Sequence, residues 1–111
     1  MIVLDTNVLS ELMRREPNPR VVAWLDALPA SELVITAITV AEILHGIARL
    51  PSGKRKRLLY AQAIAMLEED FASNILPFDT DAAVHYAALV AACETSGRPA
   101  SMADALIAAI C

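Results

Sequence analysis

Four apolar residues, Met1-Ile2-Val3-Leu4, run without a break and stop at Asp5. So short an apolar run, ended by polar residues, is the pattern of a buried strand. The period then changes. Val8, Leu9, Leu12 and Met13 recur at helical spacing from Thr6 to Arg15, until Pro17 and Pro19 stop the helix. Arg20 to Leu28 predicts a second short helix, with Val21, Val22, Trp24, Leu25 and Leu28 apolar and Pro29 at its end; Trp24 is expected in the core or as an interface anchor. Leu33-Val34-Ile35-Thr36 is a compact β-branched run that suits a buried parallel strand. Thr39 to Leu50 carries Val40, Ile43, Leu44, Ile47 and Leu50 as one apolar stripe, closed by Pro51-Ser52-Gly53. Lys54 to about Ala72 is helical in pattern, and Ile75-Leu76-Pro77-Phe78 reads as a third strand whose proline marks a frayed or edge end. Ala82 to Thr95 and Met102 to Ile110 are two further helices.

Strands separated by helices predict an α/β domain, a three-layer α/β/α arrangement around a central parallel sheet with right-handed crossovers. The whole chain, residues 1–111, is expected to form that single domain. Leu106, Ile107 and Ile110 are still in helical register when the sequence stops at Cys111, and only three strands are visible. The reading therefore expects C-terminal strands to be missing.

Composition narrows the class. A hydrophobic fraction of 57% and a mean hydropathy of +0.50 are high for a chain of 111 residues, which predicts apolar surface that meets a partner. No apolar run reaches the roughly 18 residues a bilayer span needs, and the N-terminus lacks a basic segment and cleavage site, so the expectation is a cytoplasmic protein without membrane contact. Cys93 and Cys111 have neither ligand spacing nor a disulfide framework. A net charge of −4 argues against a general polyanion-binding face, although Lys54, Arg55, Lys56 and Arg57 form one basic run. That run is either the solvated start of a helix or a source of phosphate contacts to RNA.

Candidate chemistry lies with three acids. Asp5 follows the first strand, and Glu42 and Asp104 fall in what read as first turns of helices. Each has a purely structural explanation. Thr39-Val40-Ala41-Glu42 and Ser101-Met102-Ala103-Asp104 fit the capping box, and Asp5 suits an N-cap. Together they suggest more, because ligands of open α/β sheets bind outside the carboxyl ends of the strands. Several oxygen donors converging there suit Mg²⁺ or Mn²⁺, which can activate water for attack on a phosphodiester.

In order along the chain, Asp5-Thr6-Asn7-Val8-Leu9-Ser10-Glu11-Leu12, Ile38-Thr39-Val40-Ala41-Glu42-Ile43 with Gly46 and Leu50-Pro51, Phe78-Asp79 with Ala82 and Ala83, and Asp104-Ala105-Leu106-Ile107-Ala108-Ala109 resemble the successive motifs of the PIN-domain family, closest to toxins of the VapC and FitB type. The resemblance covers essentially the whole chain. It implies a Mg²⁺ or Mn²⁺ dependent endoribonuclease, the toxin of a prokaryotic toxin–antitoxin pair, with Asp5, Glu42 and Asp104 as catalytic, metal-binding acids. Thr6 and Asn7 would hydrogen-bond those acids or the water beside them. The implied partners are an RNA substrate, a VapB/FitA-like antitoxin, a second copy in a homodimer, and DNA only through the antitoxin. The family normally continues with another strand and a further acid, so the chain reads as C-terminally truncated, with one edge of the first strand uncovered.

Two alternatives stay open. A catalytically incomplete PIN domain could serve as an antitoxin-binding or DNA-complex interaction module. A phosphoacceptor receiver or phosphatase would also place an acid after the first strand, but Asp5-Thr6-Asn7 lacks the paired acids those enzymes use. His45 and His85 read as surface or packing residues, with His45 and Arg49 on the helix face of Glu42. Asp79 and Asp81 are expected to start the helix after the third strand, Asp79 being the best-placed substitute for a missing acid.

Overall fold

The computed structural model describes residues 1–98 and 101–111. In chain order the elements are β1 (Ile2–Val3), α1 (Thr6–Leu12), α2 (Pro19–Asp26), a 3₁₀ turn (Ala30–Glu32), β2 (Leu33–Thr36), α3 (Ala37–Ala48), α4 (Lys54–Glu69), β3 (Ile75–Leu76), α5 (Thr80–Thr95) and α6 (Met102–Ile110). The described strands form a parallel sheet in the order β1-β2-β3, with Val3 opposite Val34 and Thr36 opposite Leu76. This is the expected α/β architecture.

Alternation along the strands divides the sheet between two helical layers. Ile2, Leu4, Leu33, Ile35 and Ile75 join one core with Leu9, Leu25, Ile43, Ile47, Ala63, Leu67 and Phe71 from α1 to α4 and the turn after α4. Val3 and Leu76 instead line hollows shared with α5 and α6, whose buried faces are built from Ala82, Ala105 and Ala109. β2 lies between β1 and β3, and three of its four residues are buried, as the unbroken apolar run predicts.

Local chemistry moves several element ends from where the sequence places them. α1 stops at Leu12 rather than Arg15, and the next turn is held instead by side chains: Arg14 donates to Glu11, and Glu11 accepts from the Asn18 N–H at 2.9 Å. α2 begins at Pro19, because the Asn18 side chain caps it and a proline at the first helical position lacks only a hydrogen bond that would be unmade anyway. α4 ends at Glu69, three residues before Ala72, and β3 ends before Pro77. α5 starts two residues earlier than the apolar pattern indicates, since Asp79 accepts from the Ala82 N–H at 2.9 Å. Its far end closes as a Schellman turn: Gly97 takes φ 70°, its N–H reaches the Glu94 carbonyl, and the Arg98 N–H reaches the Cys93 carbonyl. Trp24 is not in the core; it is 50% exposed on α2.

The most consequential shift is in α3. The cap is Thr36, the last residue of β2, not Thr39. The Thr36 hydroxyl is wholly buried, accepts from the Thr39 N–H at 3.2 Å, and also donates to the Thr39 hydroxyl at 3.3 Å. Strand therefore becomes helix with no linking residue, and Thr36→Val, which keeps the shape but removes the acceptor, is expected to lower the unfolding free energy by about 1–2 kcal/mol. Thr36→Ser should recover most of that loss in a urea titration, whereas equal losses in the two variants would contradict the cap.

Candidate active site

Moving the cap from Thr39 to Thr36 changes what Glu42 is for. Glu42 now lies in the second turn of α3, beyond the reach of a capping box, and its Oε1 accepts from the Thr6 hydroxyl at 2.8 Å. Thr6 is the first residue of α1, directly after Asp5. One hydrogen bond across 36 residues of sequence thus fastens the end of β1 to the second turn of α3.

Asp5 occupies the N-cap position of α1 with extended backbone angles, yet its side chain makes no capping hydrogen bond. The carboxylate is exposed and uncommitted. It shares a cavity of about 290 Å³ with Asp104, alongside Val3, Leu4, Ile107 and Ala108. Asp104 is in the first turn of α6, where its N–H is capped by the Ser101 hydroxyl at 3.1 Å, as the capping-box spacing predicts for that bond. Helix α6 in turn packs against α5 and α3. Asp5 and Asp104 therefore line one hollow, and Glu42, which does not line it, is held by Thr6, the residue after Asp5.

Among the described residues no three His, Cys, Asp or Glu side chains are gathered closely enough to form a ready-made metal cage. That is compatible with a magnesium-type site. Mg²⁺ keeps several waters and is held through one or two carboxylates, so the all-oxygen donor pair Asp5 and Asp104 fits it without a closed cage.

The other candidates separate. Asn7 is exposed in the first turn of α1. Asp79 is taken up as the cap of α5, and although it lines a cavity of about 570 Å³ with Asp81 and His85, none of the three acids above is there. His45 and Arg49 are exposed. The basic run divides among three settings: Lys54 is exposed, Lys56 and Arg57 line an apolar hollow with Leu44 and Tyr60, where Lys56 donates to the Ala48 carbonyl at 3.0 Å, and Arg55, itself exposed, lines a cleft with Glu42. Ser10 and Arg14 enter that same cleft and were not singled out from the sequence. Ser10 follows Thr6 by four residues, the spacing of one helix face, which is the signal that points to it, whereas Arg14 lies beyond the end of α1. Arg14 is positioned by Glu11, whose carboxyl is held below its ordinary range by the Arg14 hydrogen bond and then by the Asn18 N–H. A depressed carboxyl pKa favours the fold above the unfolded value and loses that contribution as pH falls through the folded one, so acid releases Arg14.

If Asp5 does no structural work, Asp5→Asn should leave the unfolding free energy within about 0.5 kcal/mol of the parent or raise it. Asp79→Ala, which removes a real cap, should cost about 1 kcal/mol in the same denaturation series. An Asp5→Asn loss as large as that of Asp79→Ala would mean that the Asp5 carboxylate serves the fold.

Comparison with known proteins gives the family. The PIN domain family matches residues 2–111. The chain is 46% identical over 109 residues to VapC ribonuclease Y4jK of Sinorhizobium fredii, covering 98% of this chain and 78% of that protein. It is equally 46% identical over 109 residues to toxin FitB of Neisseria gonorrhoeae, again covering 98% and 78%. Among solved structures, FitAB bound to a DNA fragment superimposes with a TM-score of 0.88 at 45% identity, covering 99% of this chain and 77% of the matched one. With a matching family over nearly its full length and relatives at this identity, the chain belongs to the PIN domain family, among proteins of the VapC and FitB toxin type.

Proposed function

We propose that this chain is a divalent-metal-dependent endoribonuclease and the toxin half of a type II toxin–antitoxin pair. The observation that carries the reading is the cavity shared by Asp5 and Asp104, with the Asp5 carboxylate left free by the helix it begins. The name of the Sinorhizobium relative, a ribonuclease, supports RNA as the substrate class.

Mg²⁺ or Mn²⁺, when bound, supplies charge neutralisation on a phosphate oxygen and an activated water for attack on phosphorus. Asp5 and Asp104 hold the cation from the ends of β1 and α6. Glu42 completes the acidic edge, and the Thr6 hydroxyl fixes its rotamer by donating to Oε1. No covalent enzyme intermediate is needed.

The partner assignments follow the same reading. A FitA- or VapB-like antitoxin is the expected protein partner, with DNA reached only through it, since a net charge of −4 gives this chain no general polyanion-binding face. Trp24, Leu58 and Tyr60 are exposed apolar side chains available for protein contact, including pairing with a second copy. None of the helices among the described residues is long and apolar enough to cross a membrane; the working location is the cytoplasm.

Incubating structured total RNA with the purified chain and Mn²⁺ should give discrete cuts that EDTA abolishes. Alanine at Asp5, Glu42 or Asp104 should lower the rate by at least about a hundredfold, the scale of a group that stabilises the transition state directly. Cutting that survives EDTA, or persists in folded Asp5→Ala protein, would contradict the assignment. A folded parent chain that binds Mn²⁺ but never cuts would favour the interaction-module alternative.

A further inference from the structure

The acidic edge opens on one side into a cleft of about 230 Å³ between α1, α3 and the first turns of α4, lined by Glu42, Ser10, Arg14, Gly46 and Arg55 among others. Two features of this cleft are unexplained by the fold. The first is Gly46, one turn beyond Glu42 on α3, about 6 Å along the axis. A glycine inside a helix costs about 1 kcal/mol relative to alanine, and it is usually kept for a close approach by some neighbour. Here a Cβ at position 46 would meet nothing within 4 Å. No part of this chain requires the missing side chain, and the space belongs to the cleft.

The second is Arg55. The other basic side chain of the cleft, Arg14, is engaged by Glu11 at 3.0 Å, whereas no carboxylate among the described residues lies within salt-bridge distance of Arg55. Lys56 and Arg57, its neighbours, turn to other surroundings, and the cleft contains no aromatic ring on which a base could stack. An unpaired guanidinium beside an open glycine floor, with no ring on which a base could stack, has the chemistry of a backbone-phosphate contact.

Building on the nuclease reading above, we propose that Arg55, with Arg14 behind it, grips a phosphate of single-stranded RNA beyond the scissile one, and that the strand passes over Gly46 to reach Glu42. The contact is sequence-independent: it holds the strand in line with the acids and leaves base choice to other surfaces. Of the four basic residues in the run, Arg55 carries this role and Lys54 does not.

The test is fluorescence anisotropy of a labelled single-stranded RNA with the full chain carrying Asp5→Asn, so that nothing is cut. Adding Arg55→Ala should weaken binding about tenfold, the lower end for a charge-assisted hydrogen bond, and make the log Kd against log salt slope shallower by about 0.7. Adding Lys54→Ala should leave affinity and slope nearly as they were. Gly46→Leu, whose Cβ would meet nothing within 4 Å, should weaken RNA binding while the melting temperature stays level or rises. In the cutting chain, Arg55→Ala should raise KM with kcat little changed. Equal losses from Lys54→Ala and Arg55→Ala, or Arg55→Ala binding as tightly as its parent while the unmodified chain still cuts RNA, would overturn the role of Arg55 alone. An unmodified chain that neither cuts nor binds RNA, and whose Arg55 serves only an acidic protein partner, would overturn the nuclease reading and this inference together.

Discussion

The buried hydroxyl of Thr36 fixes the place where the central strand becomes α3. Because it accepts the Thr39 N–H, the first turn of α3 begins at once, with no loop in which the helix could rotate. The rotation of α3 about its own axis is what aims Glu42 at Thr6 while Ile43 and Ile47 go to the core. A cap one turn later would leave Glu42 returning a hydrogen bond to its own helix start. The acidic edge thus depends on a cap that is not itself part of the chemistry, and it is built at the carboxyl ends of parallel strands, where helix N-termini favour negative charge.

The same logic explains why the three acids differ in their freedom. Asp79 and Asp5 stand at equivalent strand-to-helix junctions, after β3 and β1. Asp79 spends an oxygen on the Ala82 N–H, whereas Asp5 caps nothing and shares a hollow with Asp104 instead. Two aspartates in like positions therefore differ: one begins a helix, and the other keeps its carboxylate free. Asp104 is placed by α6, which packs against α5 and α3 with Ala105 and Ala109 buried, and it shares the hollow at the end of β1.

Much of this was legible in the sequence because hydrophobic period is a strong signal. The buried β2, the helical stripe of α3 and the alanine-rich layer stand out, and the order of the motifs identified the family. The capping pattern was less reliable. Thr36 and Thr39 are both plausible caps, and only burial of Thr36 in the sheet decides between them, a tertiary fact that spacing does not contain. The extent of α1 was obscured for a similar reason, since Met13 keeps helical register while Arg14 and Asn18 turn to Glu11. The split of Lys54 to Arg57 among three surroundings could not be read from a run of like charges, because it depends on how α4 crosses α3.

The central claim is that Asp5 and Asp104 hold one divalent cation at the end of β1. Crystals of the full chain equilibrated with Mn²⁺ and recorded near the manganese absorption edge test it directly. The account predicts a single strong anomalous peak in the hollow between those two carboxylates, lost in Asp5→Asn crystals. A peak elsewhere, such as beside Asp79 and His85, or none with both carboxylates ordered and free, would contradict it.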